Sequence, residues 1–189
     1  MRSQLGLLAV VAMVAALPVD ADPSAAPDAP EAKAVARRTT FIVSDLDRSI
    51  RFYEALGFAN DRRVEVTDPG SLKVFGLPPD ARLTFARMNN DNTLSTGRID
   101  GGTIGLAQVH SPRLPALRDV AGNAPLRGMP ILVMTTDDVA AIHARLRELG
   151  AEIIEPPMSM PGGLRTMVVR DPDGTRMEIT ELPRRPPPP

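Results

Sequence analysis

The chain has 189 residues, with 22 Lys and Arg against 23 Asp and Glu, 43% hydrophobic residues, and neither Cys nor Trp. This composition fits one compact globular domain or two small modules sharing a core, and it excludes a disulfide framework, a thiolate zinc site and a cysteine nucleophile. A formal net charge of −1 supplies no excess of cationic side chains for nucleic acid or an anionic membrane surface, so neither is expected as a partner.

Residues 1–21 read as a secretory signal peptide. Arg2 provides the positive start, Leu5 to Leu17 is an apolar run, and Val19-Asp20-Ala21 offers a cleavage site. The run is too short for a comfortable membrane span. The expectation is a periplasmic or secreted protein with no stable span after signal cleavage, the alternatives being an uncleaved anchor or a misplaced start. Residues 22–36 are rich in Pro, Ala and Asp and are expected to form a disordered linker, because they hold too little apolar surface to order themselves. Residues 184–189, two arginines and four prolines, should form a solvated polyproline II tail.

Between them, residues 37–183 repeat one pattern. Thr39 to Val43 are β-branched or aromatic; Ser44-Asp45 then offers an N-cap, Leu46, Ile50, Tyr53 and Leu56 share one helical stripe, and Gly57 ends the helix. Strands are predicted at Arg62 to Val66, Leu83 to Met88 and Thr103 to Val109, with a short helix near Ser71 to Phe75. The same order returns 93 residues later. A strand from Ile131 to Thr136 leads to Asp137-Asp138, a stripe of Val139, Ile142, Leu146 and Leu149, and a stop at Gly150. Strands follow at Glu152 to Glu155, Arg165 to Arg170 and Arg176 to Leu182, the last two joined by Asp171-Pro172-Asp173-Gly174, which suits a type I turn. The fold class is therefore α+β, with two tandem βαβββ modules, residues 37–110 and 129–183, joined by a connector over 111–128. A four-stranded sheet with one helix leaves one face uncovered, and two such sheets set edge to edge should curl into a mixed-sheet cup that binds a small molecule.

Val43-Ser44-Asp45-Leu46-Asp47-Arg48-Ser49-Ile50-Arg51-Phe52-Tyr53, with Leu56-Gly57-Phe58, resembles the opening of the vicinal oxygen chelate superfamily, which includes glyoxalase I, bleomycin-resistance proteins and extradiol dioxygenases. Asp171-Pro172-Asp173-Gly174 with Met177-Glu178-Ile179 is similar to its closing hairpin. The resemblance implies the paired βαβββ fold and, in metal-dependent members, four inward ligands, commonly His and Glu from each half. At the corresponding positions this chain has Arg38, Gly105, Ile131 (Pro130 with a one-residue slip) and Glu178. A guanidinium has no lone pair to give, glycine has no side chain, and one carboxylate does not hold a catalytic divalent ion. No cofactor is expected, a divalent metal being the alternative.

By that resemblance Arg38 and Glu178 lie on the cup floor, where they grip a ligand or pair with one another. Strand alternation adds Thr40 and Ile42 beside Arg38 and Thr180 beside Glu178, with Gly105 and Ile131 completing the ligand-binding set. Gly105 is expected to leave space where a glutamate would stand. Met158 and Met160, in the Pro-rich and Gly-rich segment from Pro156 to Gly163, could form an apolar lid. His110 and His143 are expected at the rim and on the outer helix.

The leading expectation is an exported, metal-free binder of a small organic molecule; if it is an enzyme, it is a lyase or isomerase acting next to a carbonyl with Glu178 as catalytic base. One rival is a metal-dependent glyoxalase-like lyase or dioxygenase with relocated ligands His110, Glu178 and Gln108. Another is a non-catalytic sequestering protein of the resistance type. A monomer or a homodimer would serve each.

Overall fold

The structure, a computed structural model, describes residues 38–91, 102–116 and 127–182. The expected signal peptide and linker, most of the connector, and the proline tail lie outside the described residues. The fold is α+β, built from two tandem βαβββ modules whose mixed sheets curl into an open cup. The first module runs β1 (Thr39–Val43), α1 (Leu46–Ala55), β2 (Ala59–Val66), α2 (Pro69–Val74), β3 (Arg82–Asn90) and β4 (Gly102–Ser111). The second runs β5 (Ile131–Thr136), α3 (Val139–Glu148), β6 (Glu152–Ser159), a 3-10 turn over Pro161–Gly163, β7 (Arg165–Arg170) and β8 (Arg176–Glu181).

Two separate sheets result, ordered β1-β4-β3-β2 and β5-β8-β7-β6. In each, the first strand pairs parallel with the last, and the other pairings are antiparallel. The internal repeat survives at atomic detail. Asp45 Oδ1 accepts Arg48 N–H at 2.9 Å, and Asp138 Oδ1 accepts Ala141 N–H at 2.9 Å, so each carboxylate satisfies an otherwise unpaired donor of the first turn. Gly57 and Gly150 end the two helices at φ 93° and 68°, a conformation that a side chain would strain.

The residues of each sheet that face its long helix fill one shared core. Tyr53, fully buried, stacks on Phe41 and meets Phe52 and Phe58 edge-on, with centroids 5.3 to 5.9 Å apart. The second module contributes Val139, Leu146, Met167 and Met177, where flexible methionines take the place of aromatic rings. α2 builds a second, smaller cluster with Leu72 against Leu83, Phe85 and Ala107 on the other face of the first sheet. It therefore roofs part of the open face.

The turn between β7 and β8 joins the modules. Asp171 accepts Thr175 N–H at 2.7 Å and Asp173 N–H at 3.0 Å through Oδ1, and the Tyr53 hydroxyl at 3.0 Å through Oδ2. Asp173 accepts Ser44 N–H at 3.0 Å. The aspartates of the turn thus tie the second module to the start and middle of α1.

Two local expectations change. β6 continues through Pro156-Pro157 to Ser159, so Met158 is a strand residue opposite Thr166, and Met160 N–H bonds Leu164 O at 2.8 Å. The segment expected as a free lid is a closed hairpin. Prolines are admitted because β6 is an edge strand and its register slips between Glu155 and Met158.

Candidate functional site

Phe41 and Val43 of β1 enter the shared core, so alternation turns Arg38, Thr40 and Ile42 to the open face. Register supplies the rest of that face. Thr40 stands beside Gly105 of β4, Gly105 beside Arg87 of β3, and Arg87 beside Arg62 of β2; in the neighbouring row Ile42, Ala107, Phe85 and Val64 follow one another. Arg38, Arg62, Val64, Phe85 and Arg87 line an open concavity of about 380 Å³. Its volume falls within the range of small-ligand sites.

The arginines of this cavity differ in what holds them. Arg87 forms a two-point fork with Asp61, Nε to Oδ1 at 2.8 Å and Nη2 to Oδ2 at 2.7 Å, and Asn89 donates to the same carboxylate. Asp61 is placed for this by the register slip between Asn60 and Arg62, a bulge that re-aims one side chain. The Arg87 fork holds the Asp61 carboxyl below the usual range. Arg38 lies over the Phe85 ring, its guanidinium carbon 4.7 Å from the centroid. Neither Arg38 nor Arg62 is within ion-pair distance of a carboxylate among the described residues.

Gly105 does not leave the expected space. A Cβ built there would lie 2.6 Å from Phe85 Cε2 and 2.7 Å from Thr40 Oγ1. The phenyl ring occupies the room that a second ligand side chain would need, and Gly105 touches the cavity through that ring.

On the second sheet, Glu178 of β8 stands beside Val133 of β5 and Val168 of β7. Thr180 donates its hydroxyl to Glu178 Oε1 at 3.1 Å and lies 2.9 Å from the Thr166 hydroxyl. Ile131 and Val133 are 56% and 61% exposed. The register places Thr40 beside Gly105 and Val133 beside Glu178, so Gly105 and Glu178 are equivalent positions in the two modules. Arg38, Thr40, Ile42 and Gly105 come together on the first sheet, and Ile131, Glu178 and Thr180 on the second. No ion pair joins Arg38 to Glu178 among the described residues, and no second-module residue lines the 380 Å³ cavity.

The relocated metal set is not assembled either. Gln108 spends both ends of its amide at the start of α1, Oε1 accepting Leu46 N–H at 3.2 Å and Nε2 donating to Ser44 O at 3.1 Å. His110 Nε2 lies 2.8 Å from Thr84 Oγ1, in a different sheet from Glu178. Among the described residues no three His, Cys, Asp or Glu are grouped to hold a metal ion. Arg38, the filled space over Gly105 and aliphatic Ile131 do not fit a divalent cation. His143 sits half-buried on α3. Among the described residues no helix is long and apolar enough to cross a membrane.

Sequence reasoning missed Arg62, Val64, Phe85 and Arg87. The period-two alternation of Arg62 with Val64 and of Phe85 with Arg87 assigns each pair to one face, but cross-strand register is needed to bring the pairs together.

Comparison with known proteins agrees with this architecture. A glyoxalase family protein from Bacillus cereus superposes with a TM-score of 0.67 at 20% identity, over 80% of this chain and 97% of that one. Glyoxalase I from Zea mays gives 0.52 at 21% identity, over 77% of this chain and only 43% of that one. The trypanothione-dependent glyoxalase I of Leishmania major gives 0.51 at 21% identity, over 78% and 86%. At these identities the likeness is one of fold. No curated protein matches the sequence. The sequence profile of one family spans residues 36–179, across both modules and the aspartate turn that joins them, and by that match the chain belongs to the Glyoxalase/Bleomycin resistance protein/Dioxygenase superfamily.

Proposed function

We propose that the protein is an exported binder of small anionic molecules, which it takes without a divalent metal in the concavity of the first module, with Arg38 as anchor. The observation that carries this reading is the cavity lining, three guanidiniums with one valine and one phenylalanine. Guanidiniums offer charge-assisted donors to a ligand's oxygens, and none of the five lining side chains can take a proton from carbon. Binding is therefore favoured over lyase or isomerase chemistry, whose base would be Glu178, in the other sheet. The residues at the family's ligand positions suit an anion held by Arg38 better than a cation. Export rests on the charged, apolar and small-residue pattern of residues 1–21.

Calorimetric titration with pyruvate, 2-oxoglutarate and benzoate tests the reading. We expect at least one of these anions to bind. Arg38→Ala should weaken binding by tenfold or more, the loss of a charge-assisted hydrogen bond of about 1.5–3 kcal/mol. Glu178→Gln should change affinity by less than about twofold, since it removes one carboxylate outside the cavity. Unchanged affinity in Arg38→Ala would overturn the assignment of the anchor. A stoichiometric metal that chelator removes, in protein purified without chelator, would overturn the metal-free reading.

A further inference from the structure

Resting on the anion-binding reading above, we infer that the first-module cavity selects compact organic dianions, phosphate monoesters or dicarboxylates, over monoanions of the same shape. The inference comes from the distribution of charge around the cavity. Three guanidiniums line it. One of them, Arg87, is already matched by Asp61 through two hydrogen bonds and the ion pair at 2.7 Å. Arg38 is held on the Phe85 ring, which orients its planar fork without cancelling its charge. Arg62, on the neighbouring edge strand, has no carboxylate within ion-pair distance among the described residues.

Among the described residues, two positive charges therefore remain without an ion-pair partner beside a concavity of about 380 Å³. A monoanion answers one and leaves the other facing it, whereas a dianion answers both, each through a fork that can give two parallel N–H donors. Arginine stays charged throughout the physiological range, so the preference does not depend on a titrating protein group. The apolar part of the lining is small, Val64 and the phenyl ring of Phe85, which suits one short or flat hydrocarbon unit and not a long chain. Thr40, Gly105 and Ala107 on the neighbouring strands add no charge to the face.

Two isosteric pairs separate charge from shape. Phenyl phosphate and phenyl sulfate share size and oxygen geometry and differ by one charge at pH 7.5; phthalate and phthalamate, in which a neutral amide replaces one carboxylate, do the same for carboxylates. Titration of the purified protein should give at least tenfold tighter binding of the dianion in one or both pairs, the scale of one added charge-assisted contact. Arg62→Gln, at an exposed position, should bring the two members of the pair within about threefold by weakening the dianion more than the monoanion, while Arg38→Gln should weaken both. Thermal melts of both variants establish that they remain folded. A preference in either pair supports the inference and says which dianion the cavity takes. Equal affinities within both pairs would overturn it while leaving the anion-binding reading in place. Failure of all four probes to bind the folded protein would overturn that reading as well. Retention of the dianion preference in Arg62→Gln would refute the assignment of the second charge.

Discussion

At residue scale the site turns on a glycine that has no room for anything else. The edge of the Phe85 ring lies 2.6 Å from where a Cβ of residue 105 would stand, and Arg38 rests on that ring. Gly105→Ala must therefore displace the ring, and with it the guanidinium. We expect the substitution to destabilise the fold by about 1–3 kcal/mol, the usual cost of overpacking, and to weaken anion binding. Adding Phe85→Leu to Gly105→Ala should recover part of the stability, because a smaller side chain relieves the contact with the ring and leaves only that with Thr40 Oγ1, but not the binding, because the stacking surface for Arg38 is gone. Urea denaturation of the single and double variants measures the first effect and titration the second. A Gly105→Ala protein as stable as the wild type would show that the ring does not fill this space. The sequence made Arg38, Thr40 and Ile42 legible as one face, since strand alternation alone assigns them. That Phe85 lies over Gly105 was not legible, because the two meet through the register of neighbouring strands, which a single sequence does not carry.

At the scale of elements, both modules use the same device to begin their long helix. The side chain of Gln108, on β4, accepts Leu46 N–H at 3.2 Å, and that of Glu181, on β8, accepts Val139 N–H at 3.0 Å. Each works beside an aspartate N-cap, so two of the donors left unpaired at a helix start are met, one locally and one from the central strand. The aspartate caps and terminal glycines were readable from the chain, since their partners lie within a few residues. Gln108 looked instead like a candidate ligand, because its partners at Ser44 and Leu46 are more than sixty residues away. Gln108→Ala should cost about 1 kcal/mol, within the range for a lost cap, and leave metal content unchanged. A melt with no shift would show that the amide does not hold the helix start, and loss of a bound metal would return Gln108 to the ligand set.

At the scale of the whole molecule, duplication was legible and the placement of the two open faces was not. The 93-residue repeat gave both modules, yet it could not say that the described lining of the cavity beside Arg38 comes from the first module, while Glu178 stands on the second sheet. Within the core that the modules share, the buried pair of Tyr53 and Asp171 is a polar link between them. Burial raises the Asp171 carboxyl above the ordinary 3.8, outweighing its hydrogen bonds from Thr175 and Tyr53, and nearby Asp173 adds to the rise. Burial, with the adjacent Asp171, also pushes the Tyr53 hydroxyl far up, so it remains a donor. A carboxyl raised on folding binds more protons in the native than in the unfolded state. Its contribution to stability is therefore full below pH 3.8 and is lost as pH rises through the folded value. Asp61 acts in the opposite sense. Its carboxyl is lowered on folding by Arg87, so its contribution is present above pH 3.8 and is lost as the solution becomes more acid. Asp171→Asn removes only the first dependence. Between pH 4 and 7 we expect the wild type to lose stability relative to Asp171→Asn, with denaturation midpoints that converge toward acid and separate toward neutrality. Tyr53→Phe should cost about 1–3 kcal/mol at pH 7, where it takes a donor from a buried acceptor, and clearly less in the Asp171→Asn background. Parallel pH profiles for wild type and Asp171→Asn, or additive costs in the double variant, would show that the aspartate and the tyrosine do not act as one junction between the modules.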